Sequence, residues 1–120
     1  LRRGRTLAEY LHPAPLIDER LVEMDFGRWE GLRWDAVPRA ELDAWAADIV
    51  GFAPPGGESP LLLQRRALDF VAALAVPEAV IVTHAGVIRS LLAHWQGLPA
   101  AAWTQLVFAY GSRTTVDIPR

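Results

Sequence analysis

A chain of 120 residues, 52% of them hydrophobic, suffices for one small domain around a single core and is too apolar to be disordered. Its net charge of −2, from 12 Lys and Arg against 14 Asp and Glu, leaves no basic excess to track a nucleic-acid backbone. The absence of cysteine excludes disulfides, thiolate metal sites and a cysteine nucleophile, and agrees with a reducing, cytoplasmic setting; no apolar run reaches the length of a membrane span.

Arg2 to Leu11 reads as a helix, with Leu7, Tyr10 and Leu11 on one face and Arg2, Arg3 and Arg5 crowding its first turns. Like charge there opposes the helix dipole. The arginines are therefore either a solvated basic surface or the surroundings of an anion. His12 and Pro13 end the helix, since a residue before proline leaves the α region, and His12 is read as an exposed loop residue. Leu16 to Leu21 reads as a short edge strand. Val22 to Gly31, with its aromatics and two glycines, reads as a compact structured loop whose candidate acids are Glu23 and Asp25. A carboxyl beside Phe26 and Trp29 would be desolvated, which favours its protonated form; the plainer alternative is that Glu23 pairs with an arginine. Leu32 to Ile49 reads as two short helices broken at Val37-Pro38. Leu42 and Trp45 line the apolar side of the second, and Glu41, Asp43 and Asp48 face out. Trp34 and Trp45 are read as packing residues, with a flat ligand as the other use of such surfaces.

Phe52 to Pro60 is a loop dense in proline and glycine that ends in a helix-start signal, Ser59 as the cap and Pro60 at the first position. A connector is the preferred reading, a phosphate-facing turn the alternative. Leu61 to Leu74 follows as a helix with Leu63, Ala67, Phe70, Val71 and Leu74 in one stripe. After Pro77, Ala79 to Val82 is a short β-branched run of the kind expected for a strand covered on both faces. Ile88, Leu91, Leu92 and Trp95 then recur at helical spacing up to Gln96-Gly97, and His94 near the last turn is read as a surface residue. Between strand and helix lie Thr83, His84, Ala85 and Gly86. Small residues there let a substrate approach the first N–H groups of the helix, an anion site by geometry, and His84 stands at the carboxyl end of the strand where ligands of α/β sheets bind. The bland alternative is that His84 only caps the helix. Pro99 to Trp103 reads as a helical turn, and Gln105 to Ala109 and Arg113 to Ile118 as two strands of a hairpin around Gly111-Ser112. The order of elements argues for α/β layers in one domain over residues 1–120.

Four stretches together resemble the histidine phosphatase, or phosphoglycerate mutase-like, superfamily. Leu1 to Glu9 is similar to its Leu-x-Arg-Ala-x-x-Thr-Ala segment, with Gly4 and Leu7 in place of the usual Ala and Thr. Leu21 to Gly31 matches Leu-x-Glu-x-x-Phe-Gly-x-Trp-Glu-Gly, Pro55 to Ser59 matches the next block, and Val82 to Arg89 matches the second-histidine motif. Within the superfamily the wording of residues 23–31, the segment Leu42 to Trp45 and the loop before Ser59 look most like α-ribazole phosphatases of cobalamin biosynthesis.

The resemblance implies a three-layer α/β/α fold with a mostly parallel sheet, and a metal-independent phosphomonoesterase without cofactor. Glu23 and His84 would be catalytic, and Arg3 and Ala85 would bind the substrate, a small phosphorylated metabolite rather than nucleic acid or membrane. The family's nucleophile is a histidine in an Arg-His-Gly motif on the first, central strand, and nothing in the chain resembles it. The start at Leu1 rather than Met, partway into a helical pattern, fits the expectation that this unit of about 30 residues or more lies ahead of the chain. The 120 residues alone are accordingly expected to be inactive, with uncovered strand edges that favour self-association; a homo-oligomer is compatible with this. Two alternatives are a phosphoglycerate mutase or sugar-phosphate phosphatase of the same superfamily, and a non-catalytic phosphate-binding domain.

Overall fold

The computed structural model describes residues 2–108 and 112–118, with side chains from residue 4 onward. Among these residues five α-helices form: α1 Arg2–Leu11, α2 Arg39–Ala47, α3 Pro60–Ala72, α4 Ala85–Trp95 and α5 Ala100–Trp103. Single 3-10 turns occur at Glu19–Leu21, Gly27–Trp29 and Trp34–Ala36.

The core lies between α3 and α4. Leu63, Ala67 and Val71 recur every four residues on α3 and face Val87 and Leu91 of α4. Ala67 and Val87 are fully buried, so the two helices approach closely there. Burying a side chain the size of leucine or valine is worth roughly 1.5–3 kcal/mol, and this seam is where the chain concentrates that gain. One polar bond crosses it: the Gln64 side-chain amide donates to the Ser90 carbonyl at 2.9 Å. The buried Ser90 hydroxyl turns back to the Val87 carbonyl at 2.8 Å, and no buried side-chain nitrogen or oxygen is orphaned among the described residues. The start of α3 follows its sequence signal: Ser59 Oγ accepts from the Leu62 N–H at 3.2 Å with Pro60 at the first position. Gly97, at φ +64°, marks the end of α4.

A second apolar cluster holds the residues between Gly27 and Phe52. Trp29 is buried, with ring centroids 6.1 Å from Trp34 and 5.4 Å from Phe52, and Trp34 stacks towards Trp45 at 5.8 Å. The Trp29 indole N–H donates to Glu41 at 2.9 Å, so Glu41 turns inward rather than facing out with Asp43.

The expected strands are where the sequence reading needs correction. Leu16–Leu21 is not an edge strand: Asp18 caps the 3-10 turn by accepting from the Arg20 N–H at 2.9 Å, which bends the chain. Ala79–Val82 is not covered on both faces, since Val80 is 79% exposed. Neither it nor residues 105–108 and 113–118 form a ladder or bridge among the described residues. A strand is held by its neighbour, and β-branched composition expresses a preference only once a pleated surface exists to pack on. The expected turn at Gly111, with Ala109, lies outside the described residues. No helix among the described residues is long and apolar enough to cross a membrane.

Candidate active site

Two loops that precede α3 dock on each other and, with the turn before α4, build the site. The loop after the Glu19–Leu21 turn docks on residues 54–59 through main-chain bonds: the Arg28 N–H donates to the Pro55 carbonyl at 2.8 Å, and the Glu58 N–H to the Asp25 carbonyl at 2.9 Å. The approach is close enough to demand glycine. Gly27 has φ +53°, and a Cβ there would overlap the Pro55 carbonyl oxygen; a Cβ on Gly57 would press on the Asp25 carbonyl. The same loop reaches the turn before α4, where Thr83 Oγ1 donates to the Leu21 carbonyl at 2.6 Å.

This stitching carries Glu23 to the N-terminus of α4. Glu23 Oε1 accepts from the Met24 N–H at 2.9 Å and Oε2 from the Gly86 N–H at 3.3 Å. A carboxylate is favoured there by the unpaired helix donors and the positive end of the dipole. Gly86 leaves it room, since a Cβ on Gly86 would overlap Oε1. Glu23 is therefore oriented by backbone donors. Neither Trp29, which turns to Glu41, nor a side-chain ion pair among the described residues holds its carboxylate.

His84 is the N-cap residue of α4, with extended φ and ψ, and its carbonyl accepts from the Ile88 N–H at 3.0 Å, while its side chain makes no capping bond. Ala85 is exposed on the first turn. Glu23, His84 and Ala85 are thus gathered at one helix end. The backbone of Arg3 lies in the first turn of α1, and its side chain lies outside the described residues. The neighbouring Gly4 faces the segment that delivers His84, as a Cβ built on it would sit 3.9 Å from Val82 Cγ1.

The other candidates go elsewhere. Asp25 is exposed and its Oδ1 accepts from the Gly27 N–H at 2.8 Å, a local turn bond. His12 is exposed and accepts from the Ala14 N–H at 3.1 Å, and His94 is exposed at the far end of α4. The sequence reading assigned nothing to Arg66, yet this residue ties three parts of the site together. Its guanidinium donates to both oxygens of Glu58, at 2.6 and 3.2 Å, and to the carbonyls of Arg20 and Glu23, at 2.8 and 3.1 Å. The signal was an arginine next to the fully buried Ala67 and one turn beyond the buried Leu63, a poor place for a charge without partners. Nearby, hydrogen bonds from the Arg20 side chain and backbone hold the Asp18 carboxyl down at about 2. The Arg20 guanidinium also lies 5.5 Å from the Phe70 ring centroid, a cation–π contact.

The arrangement offers helix-end donors and an imidazole for an oxyanion, with a carboxyl beside them to move a proton. The model of the histidine phosphatase superfamily (branch 1) matches residues 1–120. The adenosylcobalamin/alpha-ribazole phosphatase of Escherichia coli (strain K12) is 29% identical over 113 residues, 88% of this chain and 55% of that protein. Among solved structures, a mycobacterial glucosyl-3-phosphoglycerate phosphatase matches with TM-score 0.71 and 35% identity, over 89% of this chain and 60% of its own. A phosphoglycerate mutase from Thermus thermophilus matches with TM-score 0.61 and 38% identity, over 75% and 52%. The chain therefore spans about half the length of the curated relative it matches.

Proposed function

The chain belongs to the histidine phosphatase superfamily (branch 1), and from this membership and the site we propose that the full-length gene product carrying it hydrolyses a small phosphomonoester through a phosphohistidine intermediate. In this reading a histidine supplied from outside these 120 residues attacks phosphorus. The N–P bond forms as the ester P–O bond breaks, and Glu23 gives its proton to the departing oxygen. Water then attacks the phosphohistidine, Glu23 takes its proton, and phosphate leaves. His84, Arg3 and the α4 backbone at Ala85 hold the non-bridging oxygens and balance their charge, the task a metal performs elsewhere. The single observation that carries the reading is the Glu23 carboxylate on the Gly86 N–H, in the turn that His84 begins. The same reading gives the full-length product a three-layer α/β/α fold with a mostly parallel sheet, in which a strand from outside these 120 residues would supply the pairing that Ala79–Val82 lacks among the described residues, and a cytoplasmic location.

α-Ribazole 5′-phosphate, an intermediate of cobalamin biosynthesis, is the proposed substrate, supported by the E. coli relative and the residue wording around Glu23. A sugar-phosphate or phosphoglycerate ester is the second reading, supported by the overlap with the mycobacterial phosphatase. For the 120 residues alone the proposal is phosphate binding without turnover, because His12 is exposed and engaged with the Ala14 N–H and His94 lies at the opposite end of α4 from Glu23. The test is phosphate release by the full-length protein from α-ribazole 5′-phosphate, 3-phosphoglycerate and glucosyl-3-phosphoglycerate. Glu23→Gln and His84→Ala should each lower kcat/KM by about 100-fold or more. Unchanged rates in both variants would refute the assigned roles.

A further inference from the structure

The Arg66–Glu58 pair is mostly buried, with side chains 21% and 18% exposed, and it acts on main chain rather than on another side chain. Arg66 donates to the carbonyls of Arg20 and Glu23, while Glu58 Oε1 accepts from the Asp25 N–H at 3.0 Å. The main chain at Arg20, three residues before Glu23, and the two peptide groups that follow Glu23 therefore hang from one guanidinium–carboxylate fork. The fork itself is fixed to the core, since Arg66 precedes the fully buried Ala67 on α3. The Glu23 carboxylate is not among the acceptors of Arg66 and extends away from it to the N–H of Gly86. Resting on the phosphatase reading above, we propose that Arg66 is a positioning residue, which with Glu58 fixes the place from which Glu23 hands its proton to the leaving oxygen. A planar guanidinium reaches these separate acceptors at once; an ammonium is a single point charge on a flexible stem and does not reproduce the fork.

A general acid matters in proportion to the leaving group's need for a proton. An alkyl phosphate must expel a strongly basic alkoxide unless it is protonated, whereas a nitrophenyl phosphate releases a stable phenolate without help. The experiment measures kcat/KM, which covers the step in which the leaving group departs, for both esters with the full-length protein and its Arg66→Gln variant. The alkyl ester should slow by about 10- to 100-fold through misplacement of the acid, with the nitrophenyl ester staying near the parent rate. Equal losses on both esters would make Arg66 a residue of general stability and overturn the proposal. Glu23→Gln is measured alongside. If it shows no leaving-group dependence, the acid assignment itself is wrong. If it does and Arg66→Gln does not, only the positioning role fails. Should Arg66→Gln not fold, Arg66→Lys keeps the charge and should show the same selectivity at smaller size; parent-like rates on the alkyl ester would again overturn the role.

Discussion

Replacing Gly27 by alanine tests whether the docking of two loops creates the site, and Gly31 is its internal control. Both residues have positive φ, +53° and +72°, so alanine at either pays a left-handed backbone cost of about 1–2 kcal/mol. At Gly31 a Cβ meets nothing within 4 Å. At Gly27 it meets the Pro55 carbonyl and the main chain of Gly56 and Gly57, rigid groups that cannot rotate aside. The loops must separate, which weakens the Arg28–Pro55 and Glu58–Asp25 backbone bonds and the Asp25 N–H bond to Glu58. At roughly 0.5–1.5 kcal/mol each, with the charge-assisted one stronger, the three add about 2–4 kcal/mol to the Gly27 cost alone. Urea unfolding followed by tryptophan fluorescence, with Trp29 inside the affected loop, should give a loss of about 3–6 kcal/mol for Gly27→Ala and about 1–2 for Gly31→Ala. Against a typical total of about 5–15 kcal/mol the first is severe. Equal unfolding midpoints and slopes for the two variants would refute the claim that this contact holds Glu23 in place.

Gly4→Ala should act in the opposite direction, because the added methyl finds ordinary contact with Val82 and α1 gains about 0.5–1 kcal/mol of helix propensity. A rise of a few degrees in Tm checks this, and a fall would mean α1 sits closer to Val82 than 3.9 Å allows. The Asp18 carboxyl, lowered from 3.8 to about 2 chiefly by the Arg20 side chain, contributes stability that is present above 3.8 and lost as pH falls towards 2. A carboxyl-carbon NMR titration should show that midpoint moving back up in Arg20→Ala; an unmoved midpoint would break the assignment. The contribution itself is small, since solvent reaches and screens this half-buried pair.

Much of the helical framework was legible because helices are local. α1, α4 and α5 run close to where caps, prolines and the 3.6-residue period place them, and α3 begins at its Ser59-Pro60 signal but stops at Ala72, two residues short of the expected Leu74; Gly97 marks the end of α4. The strands were not, because the β-branched run at residues 79–82 states only a preference, and pairing belongs to two segments at once. The site divides in the same way. Glu23, His84 and Ala85 were named from motif and from position at a helix start, and the structure brings the three to one end of α4. Only the tertiary structure decided that the Glu23 carboxylate lies on the Gly86 N–H, 63 positions along the chain, and that Arg66 holds the main chain beneath it. The physical reason is that a helix cap is closed by neighbours three or four residues away. A carboxylate that reaches a helix N-terminus from a distant loop is held by loop contacts whose partners no local pattern can name.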